Sequence, residues 1–175
     1  GIVKKVAKTS KVAKKGSTAA RACSRNSFTG DTPVEMADGT EKPISDVKVG
    51  DMVLATDPET GETEARRVDA VIVHGGVHVM VDVSIADGTT ITATDEHPFW
   101  DVNRNEFVYA KDLQVGDLLR GDGGNAIAVS ATSTFHQDLR AYNLSIDGIH
   151  TYYAGKTPVL VHNSCAQMER EIAQG

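Results

Sequence analysis

Cysteine is scarce in this 175-residue chain: Cys23 and Cys165 are the two present. Two are too few for a disulfide framework, and compartment does not follow from them. No apolar run approaches the roughly 18 residues that span a bilayer. Residues 1–22 carry charge without the apolar stretch of a secretory leader, so no such leader is expected. The chain begins at Gly1 and reads as a piece of a longer protein. No C-x-x-C pair is present, and neither metal nor other cofactor is expected. Gly121-Asp122-Gly123-Gly124 lacks the following helix and Lys-Ser/Thr that would cradle a phosphate. No Gly-x-Ser-x-Gly elbow supports a serine hydrolase.

Acid is missing from residues 1–25, which hold eight Lys and Arg; the remainder holds ten basic and 24 acidic residues, a net of −14. A basic Lys/Ala/Val arm ahead of an acidic domain fits a solvated linker. Binding to nucleic acid or an anionic membrane is the competing use of such an arm. The arm has no aromatics and contains Gly16-Ser17-Thr18, so neither partner is expected. With 40% hydrophobic and 24% charged residues, the chain has ordinary globular composition and room for one domain.

Short β-rich runs fill the middle: 52–55, 68–73, 79–85, 89–93, 126–129, 139–146, 151–154 and 158–161. Turn pairs separate them, among them Asp38-Gly39, Gly75-Gly76, Asp87-Gly88 and Asp147-Gly148. This pattern predicts an all-β domain. Only the ends read as helical flanks; Ser164-Cys165-Ala166-Gln167 resembles a capping box opening a helix through Ile172. The segment Asp46-Val47-Lys48-Val49-Gly50-Asp51-Met52-Val53 returns 66 residues later as Asp112-Leu113-Gln114-Val115-Gly116-Asp117-Leu118-Leu119. A second pair, Val83-Ser84-Ile85-Ala86-Asp87-Gly88 and Leu144-Ser145-Ile146-Asp147-Gly148, accompanies the first. Two such pairs predict two halves related by a pseudo-two-fold axis.

Polar residues with chemical potential sit at the ends of these runs. Ser27 opens the folded region in Ser27-Phe28-Thr29-Gly30-Asp31-Thr32-Pro33-Val34. Thr94-Asp95-Glu96-His97 ends a central strand, His150 lies past the repeated turn, and His162-Asn163-Ser164 closes the last strand. In this order these blocks resemble the Hint (Hedgehog/intein) superfamily, and within it bacterial intein-like and pretoxin Hint domains. Met36 to Ile44, Ala55 to Gly61, His97-Pro98-Phe99-Trp100 and His150-Thr151-Tyr152-Tyr153 are typical of the pretoxin group, and the likeness covers about residues 27–164.

The resemblance implies a horseshoe-like β fold and a single-turnover autocatalytic reaction in cis on the chain's own flanks. Residues 1–26 and 164–175 are then the flanks and 27–163 the domain. Ser27 resembles the first-residue nucleophile that converts the Asn26–Ser27 amide to an ester. Thr94 and His97 match the block that polarises this peptide and protonates its leaving nitrogen. Asn163 matches the residue that cyclises and releases Ser164, with His162 and His150 assisting. Two departures stand out: Ser27 replaces the commoner Cys, and its hydroxyl is a weaker nucleophile than a thiol; Asn143 stands where many inteins carry a catalytic Asp. The group further implies a monomeric module of a larger, secreted bacterial protein whose C-terminal cargo is a toxin, so cleavage at Asn163 would suffice. Splicing of Asn26 to Ser164 and an inactive β linker or interaction module are the alternatives. A Cys23–Cys165 disulfide across the junctions is a further expectation.

Overall fold

The computed structural model describes residues 26–162. The strands are β1 (Phe28–Thr29), β2 (Pro33–Glu35), β3 (Glu41–Pro43), β4 (Met52–Thr56), β5 (Thr63–His74), β6 (Val77–Ile85) and β7 (Thr90–Thr94). They continue as β8 (Pro98–Asp101), β9 (Glu106–Tyr109), β10 (Leu118–Arg120), β11 (Ala126–Asp138), β12 (Ala141–Ile146), β13 (Thr151–Ala154) and β14 (Val159–His162). The helical structure among the described residues is two 3-10 turns, Ile44–Asp46 and Ala110–Asp112. Both lead into the repeated segments, where no helix is predicted from sequence. The predicted helical flanks, Cys23 and Cys165 lie outside the described residues.

The all-β expectation holds. The strands pair antiparallel in the order β3-β2-β13-β14-β8-β10-β11-β6-β7-β1-β12-β5-β4, with β9 on β8. The two ends of this path meet again: Met36 bridges Val53, and the Ala37 N–H donates to the Met52 carbonyl at 2.9 Å. The curled sheet encloses a core that includes Phe28, Val34, Ile44, Val81, Phe99, Leu119, Leu144 and Val161. β4 and β13 are tied across it by buried hydroxyls. Thr151 Oγ1 donates to the Thr56 carbonyl at 2.7 Å and accepts from its N–H at 3.1 Å, and Tyr153 Oη meets Thr56 Oγ1 at 2.7 Å.

The repeats in sequence are repeats in hydrogen bonding. Gly50 N–H donates to the Val68 carbonyl, and Gly116 N–H to that of Val129, at 2.9 and 2.8 Å. Asp51 Oδ2 accepts from the Lys48 N–H at 2.9 Å, and Asp117 Oδ2 from that of Gln114 at 2.8 Å. Gly50 and Gly116 have φ of 94° and 93°, a left-handed turn in which a side chain is strained. The long ribbons carry an irregularity in each half: the β12–β5 register shifts between Ser145 and Ile146, and the β11–β6 register between Val129 and Ala131. Such bulges bend a ribbon and re-aim its end.

The correspondence extends to whole halves. β2–β3 answers β8–β9, β4–β5 answers β10–β11, and β5–β12 answers β11–β6. β1 and β7 pair with each other at Phe28 and Ala93, where the pseudo-axis passes. The closing hairpin lays β13 on β2 and β14 on β8.

Candidate functional site

The site grows from the pseudo-axis. β1 is two residues long and lies between β7 and β12, with Phe28 opposite Ala93 on one side and Tyr142 on the other. One step back in the same registers, Ser27 stands opposite Thr94 and Asn143. Ser27 N–H donates to Thr94 Oγ1 at 2.8 Å, and Thr94 N–H to the Ser27 carbonyl at 2.8 Å. Asn26, Ser27, Thr94 and Asn143 are all buried. The Asn26–Ser27 peptide is therefore inside the fold and held by a side-chain hydroxyl.

His97 ends the turn after β7. Its N–H donates to the Thr94 carbonyl at 3.1 Å, and its own carbonyl accepts from the Ala110 N–H at 2.9 Å. The imidazole packs on Phe28 with ring centroids 4.1 Å apart. Nδ1 approaches the Pro98 carbonyl at 3.4 Å, while Nε2 has no hydrogen-bond partner among the described residues. Burial lowers its pKa from 6.5 to about 3, with the charge of His162 pushing the same way and the Pro98 carbonyl opposing. At neutral pH His97 is uncharged. A donating Nδ1 leaves Nε2 with a lone pair.

Asn143 is held at its side-chain oxygen. Its Oδ1 accepts from the Leu144 N–H and from Tyr152 Oη, each at 2.8 Å. Burial raises the Tyr152 phenol well above its usual range, so it stays protonated and donates.

The two remaining histidines lie at the closing hairpin. Thr151 on β13 stands opposite His162 on β14. Val161 pairs with Phe99, so His162 comes beside Pro98, next to His97. Its ring meets Phe107 edge-on at 4.8 Å. His150 Nδ1 donates to the Ile146 carbonyl at 2.8 Å, and its φ of 63° is left-handed, rare for a residue with a side chain. His150 and His162 share the wall of a cavity of about 550 Å³ with Trp100, Phe107, Tyr109 and Asp57. Asn163 and Ser164 come next in the chain after His162 and lie outside the described residues.

The structure thus brings Ser27, Thr94, His97 and Asn143 together, with His162 at their edge and His150 on the wall of the adjoining cavity. Tyr152 is absent from the sequence-based set; it lies in a fully buried strand, Thr151–Ala154, that reads as core. His74 and His78 lie four apart, but His78 Nε2 meets the His74 backbone carbonyl at 3.2 Å. No group of three or more metal-ligating side chains converges among the described residues.

The chain is similar to a solved bacterial intein-like domain from Clostridium thermocellum, 34% identical, with a TM-score of 0.73 over 79% of this chain and 99% of that one. A DnaB intein from Synechocystis sp. PCC 6803 shares the fold at 19% identity, with a TM-score of 0.67 over 78% of this chain and 96% of that one. Over 92 residues, 51% of the chain, it is also 29% identical to DNA-directed RNA polymerase III subunit rpc2 of Dictyostelium discoideum, spanning 6% of that protein's length. The pattern of the pretoxin HINT domain matches residues 34–164. That stretch takes in Thr94, His97, Asn143, His150 and the His162-Asn163-Ser164 junction, and leaves Ser27 just outside. By this match the chain belongs to the pretoxin HINT domain family, an intein-like branch of the Hint superfamily.

Proposed function

We propose that residues 27–163 form a self-processing domain that cuts the chain after Asn163, releasing the segment that starts at Ser164, and that activates the Asn26–Ser27 peptide by an acyl shift. The observation that carries this reading is the buried Asn26–Ser27 peptide, whose N–H is held by Thr94 Oγ1 beside a neutral His97.

The first step uses those groups. Ser27 Oγ attacks the Asn26 carbonyl carbon and gives its proton to His97 Nε2, whose lone pair burial leaves unprotonated at neutral pH. The Thr94 hydroxyl holds the amide nitrogen in place. The C–N bond then breaks, and the imidazolium returns the proton to the departing Ser27 nitrogen. The product is an ester at Ser27 Oγ and a free amine. Charge on His97 is costly in this apolar setting, which hastens the return of the proton.

In the second step the Asn163 side-chain nitrogen attacks its own backbone carbonyl carbon. The Asn163–Ser164 bond breaks, a succinimide closes, and Ser164 leaves as an amine. The reaction is intramolecular, so placement supplies most of the acceleration. His162 and His150 support it from the cavity wall. His150 donates from Nδ1 to Ile146, so its Nε2 is the nitrogen with a lone pair. Its left-handed backbone is the kind of strain that collects at working sites.

Cutting at Asn163 alone is enough to free a C-terminal segment, which favours it as the principal outcome. In a pretoxin setting the released piece is a C-terminal toxin. Paired variants test the reading. Asn163→Ala is expected to abolish release of 164–175, and Ser27→Ala to leave it intact while removing hydroxylamine-sensitive cleavage after Asn26. A ligated product of 1–26 and 164–175 would mean splicing instead. Release from the Asn163→Ala variant would overturn the reading.

A further inference from the structure

Resting on the acyl-shift reading, we infer that Asn143 donates a hydrogen bond from Nδ2 to the oxyanion formed at the Asn26 carbonyl, and that Tyr152 is the positioning residue that holds its amide in place. The scissile Asn26–Ser27 peptide is held from the β7 side. Its N–H points to Thr94 on β7. The described residues contain no cis peptide bond, and in a trans peptide the carbonyl points opposite to the N–H. The Asn26 carbonyl therefore faces away from β7, toward β12. On β12 the residue in register with Ser27 is Asn143, since Phe28 stands opposite Tyr142.

An asparagine can present either a carbonyl or an amine, and only the amine stabilises negative charge. Here the choice is made at Oδ1, by the Leu144 N–H with Tyr152 Oη beside it. Leu144 N–H and Tyr152 Oη both occupy Asn143 Oδ1, at 2.8 Å each. Turning the amide over would set its NH₂ against the Leu144 N–H, which cannot accept, in a site with no exposure of Asn143 or Tyr152. Leu144 N–H comes from the same strand as Asn143. Tyr152 comes from β13 and is anchored apart from it, its ring edge-on to Phe28 with centroids 6.2 Å apart. The phenol is thus a separate part that holds the amide in the orientation the Leu144 N–H selects. Asn143 need not accept a proton, because His97 already offers a lone pair at Nε2.

Asn143→Asp, close to isosteric, reads the donor role. A carboxyl donates only while protonated, so ester formation, trapped as hydroxylamine cleavage after Asn26, is expected to fall about tenfold per pH unit above the new carboxyl's pKa. The parent does not fall there. An Asn143→Asp variant as fast as the parent at alkaline pH would overturn the proposal. Tyr152→Phe keeps the ring and removes the hydroxyl. It is expected to slow ester formation about tenfold, leave release at Asn163 unchanged, and add nothing in an Asn143→Ala background. Independent slowing in that background would overturn the positioning role. The ¹⁵N side-chain amide signal of Asn143 gives a readout without activity: slow hydrogen exchange in the parent and fast exchange in Tyr152→Phe. Equal exchange in both would reject the positioning. If the parent forms no ester while its Asn143 amide is protected as expected, the acyl-shift reading fails and the Tyr152-held orientation stands.

Discussion

The turn after β1 and the turn after β7 are built alike and do different work. In the first, Thr32 N–H donates to the Thr29 carbonyl at 3.0 Å; in the second, His97 N–H donates to the Thr94 carbonyl at 3.1 Å. Ile44 N–H caps the Thr32 carbonyl at 2.8 Å as Ala110 N–H caps that of His97 at 2.9 Å. A proline comes next in each, Pro33 and Pro98. The side chains part company. Thr29 Oγ1 and Thr32 Oγ1 bond each other at 3.0 Å. Thr94 Oγ1 is turned instead to the Ser27 N–H, and an imidazole replaces the second hydroxyl. The backbone of this turn asks for neither threonine nor histidine at its end. One half keeps a self-satisfied pair, and the other spends the same frame on a neighbouring peptide.

Copying one turn into the other breaks the comparison most sharply. His97→Thr should leave the turn's backbone bonds in place and slow ester formation by about 10²–10⁴-fold, the usual worth of a positioned acid–base group. The reciprocal Thr32→His should create no new cleavage. Hydroxylamine-induced cleavage measures both.

The halves also respond oppositely to pH. Folding depresses the His97 pKa from 6.5 to about 3 through burial and His162. The unfolded chain then binds the proton the folded one refuses, so stability is present above pH 6.5 and falls as pH drops toward 3. Urea titrations should show a loss of about 3 kcal/mol between pH 6.5 and 4, absent in His97→Gln. On β2 of the other half, burial and the neighbouring carboxyls of Asp122 and Glu41 raise Glu35 from 4.5 to about 7. Stability from that group is present below pH 4.5 and lost as pH rises through 7. Glu35→Gln should raise stability at pH 8 by about 1 kcal/mol, since solvent screens this partly open site.

Hydroxyl deletions make the finest cut. Thr94→Ala should slow ester formation about tenfold, the worth of one oriented hydrogen bond. Thr29→Ala should cost about 1 kcal/mol of stability with no change in rate.

The sequence carried the plan of the fold better than the lengths of its strands. Short β-rich runs located β4, β6, β7 and β13, and the Gly-Asp repeat announced two halves because a left-handed turn restricts the choice to glycine at Gly50 and Gly116. β5 starts earlier than the apolar run at Val68 because its first residues, among them Glu64 and Arg67, pair with β4 while facing solvent. β11 runs on to Asp138 through exposed Ser, Thr and Gln that bear no apolar pattern. Leu139 and Arg140 read as strand but form the turn, where Leu139 N–H donates to the Gly76 carbonyl at 3.0 Å. β1 and β2 are too short for a period to show, and β8 is buried on both faces, which hides one. At the candidate site, Ser27, Thr94, His97 and Asn143 were each singled out in the sequence, and the fold places them near one another. Tyr152 was not legible, because its role depends on β13 crossing to meet β12, a contact that no local pattern encodes.

Intact-mass spectrometry of the purified 175-residue chain over time, beside Asn163→Ala, tests the central claim most directly. The parent is expected to convert to fragments 1–163 and 164–175 while the variant keeps its mass. A parent that keeps its mass alongside the variant would contradict self-processing.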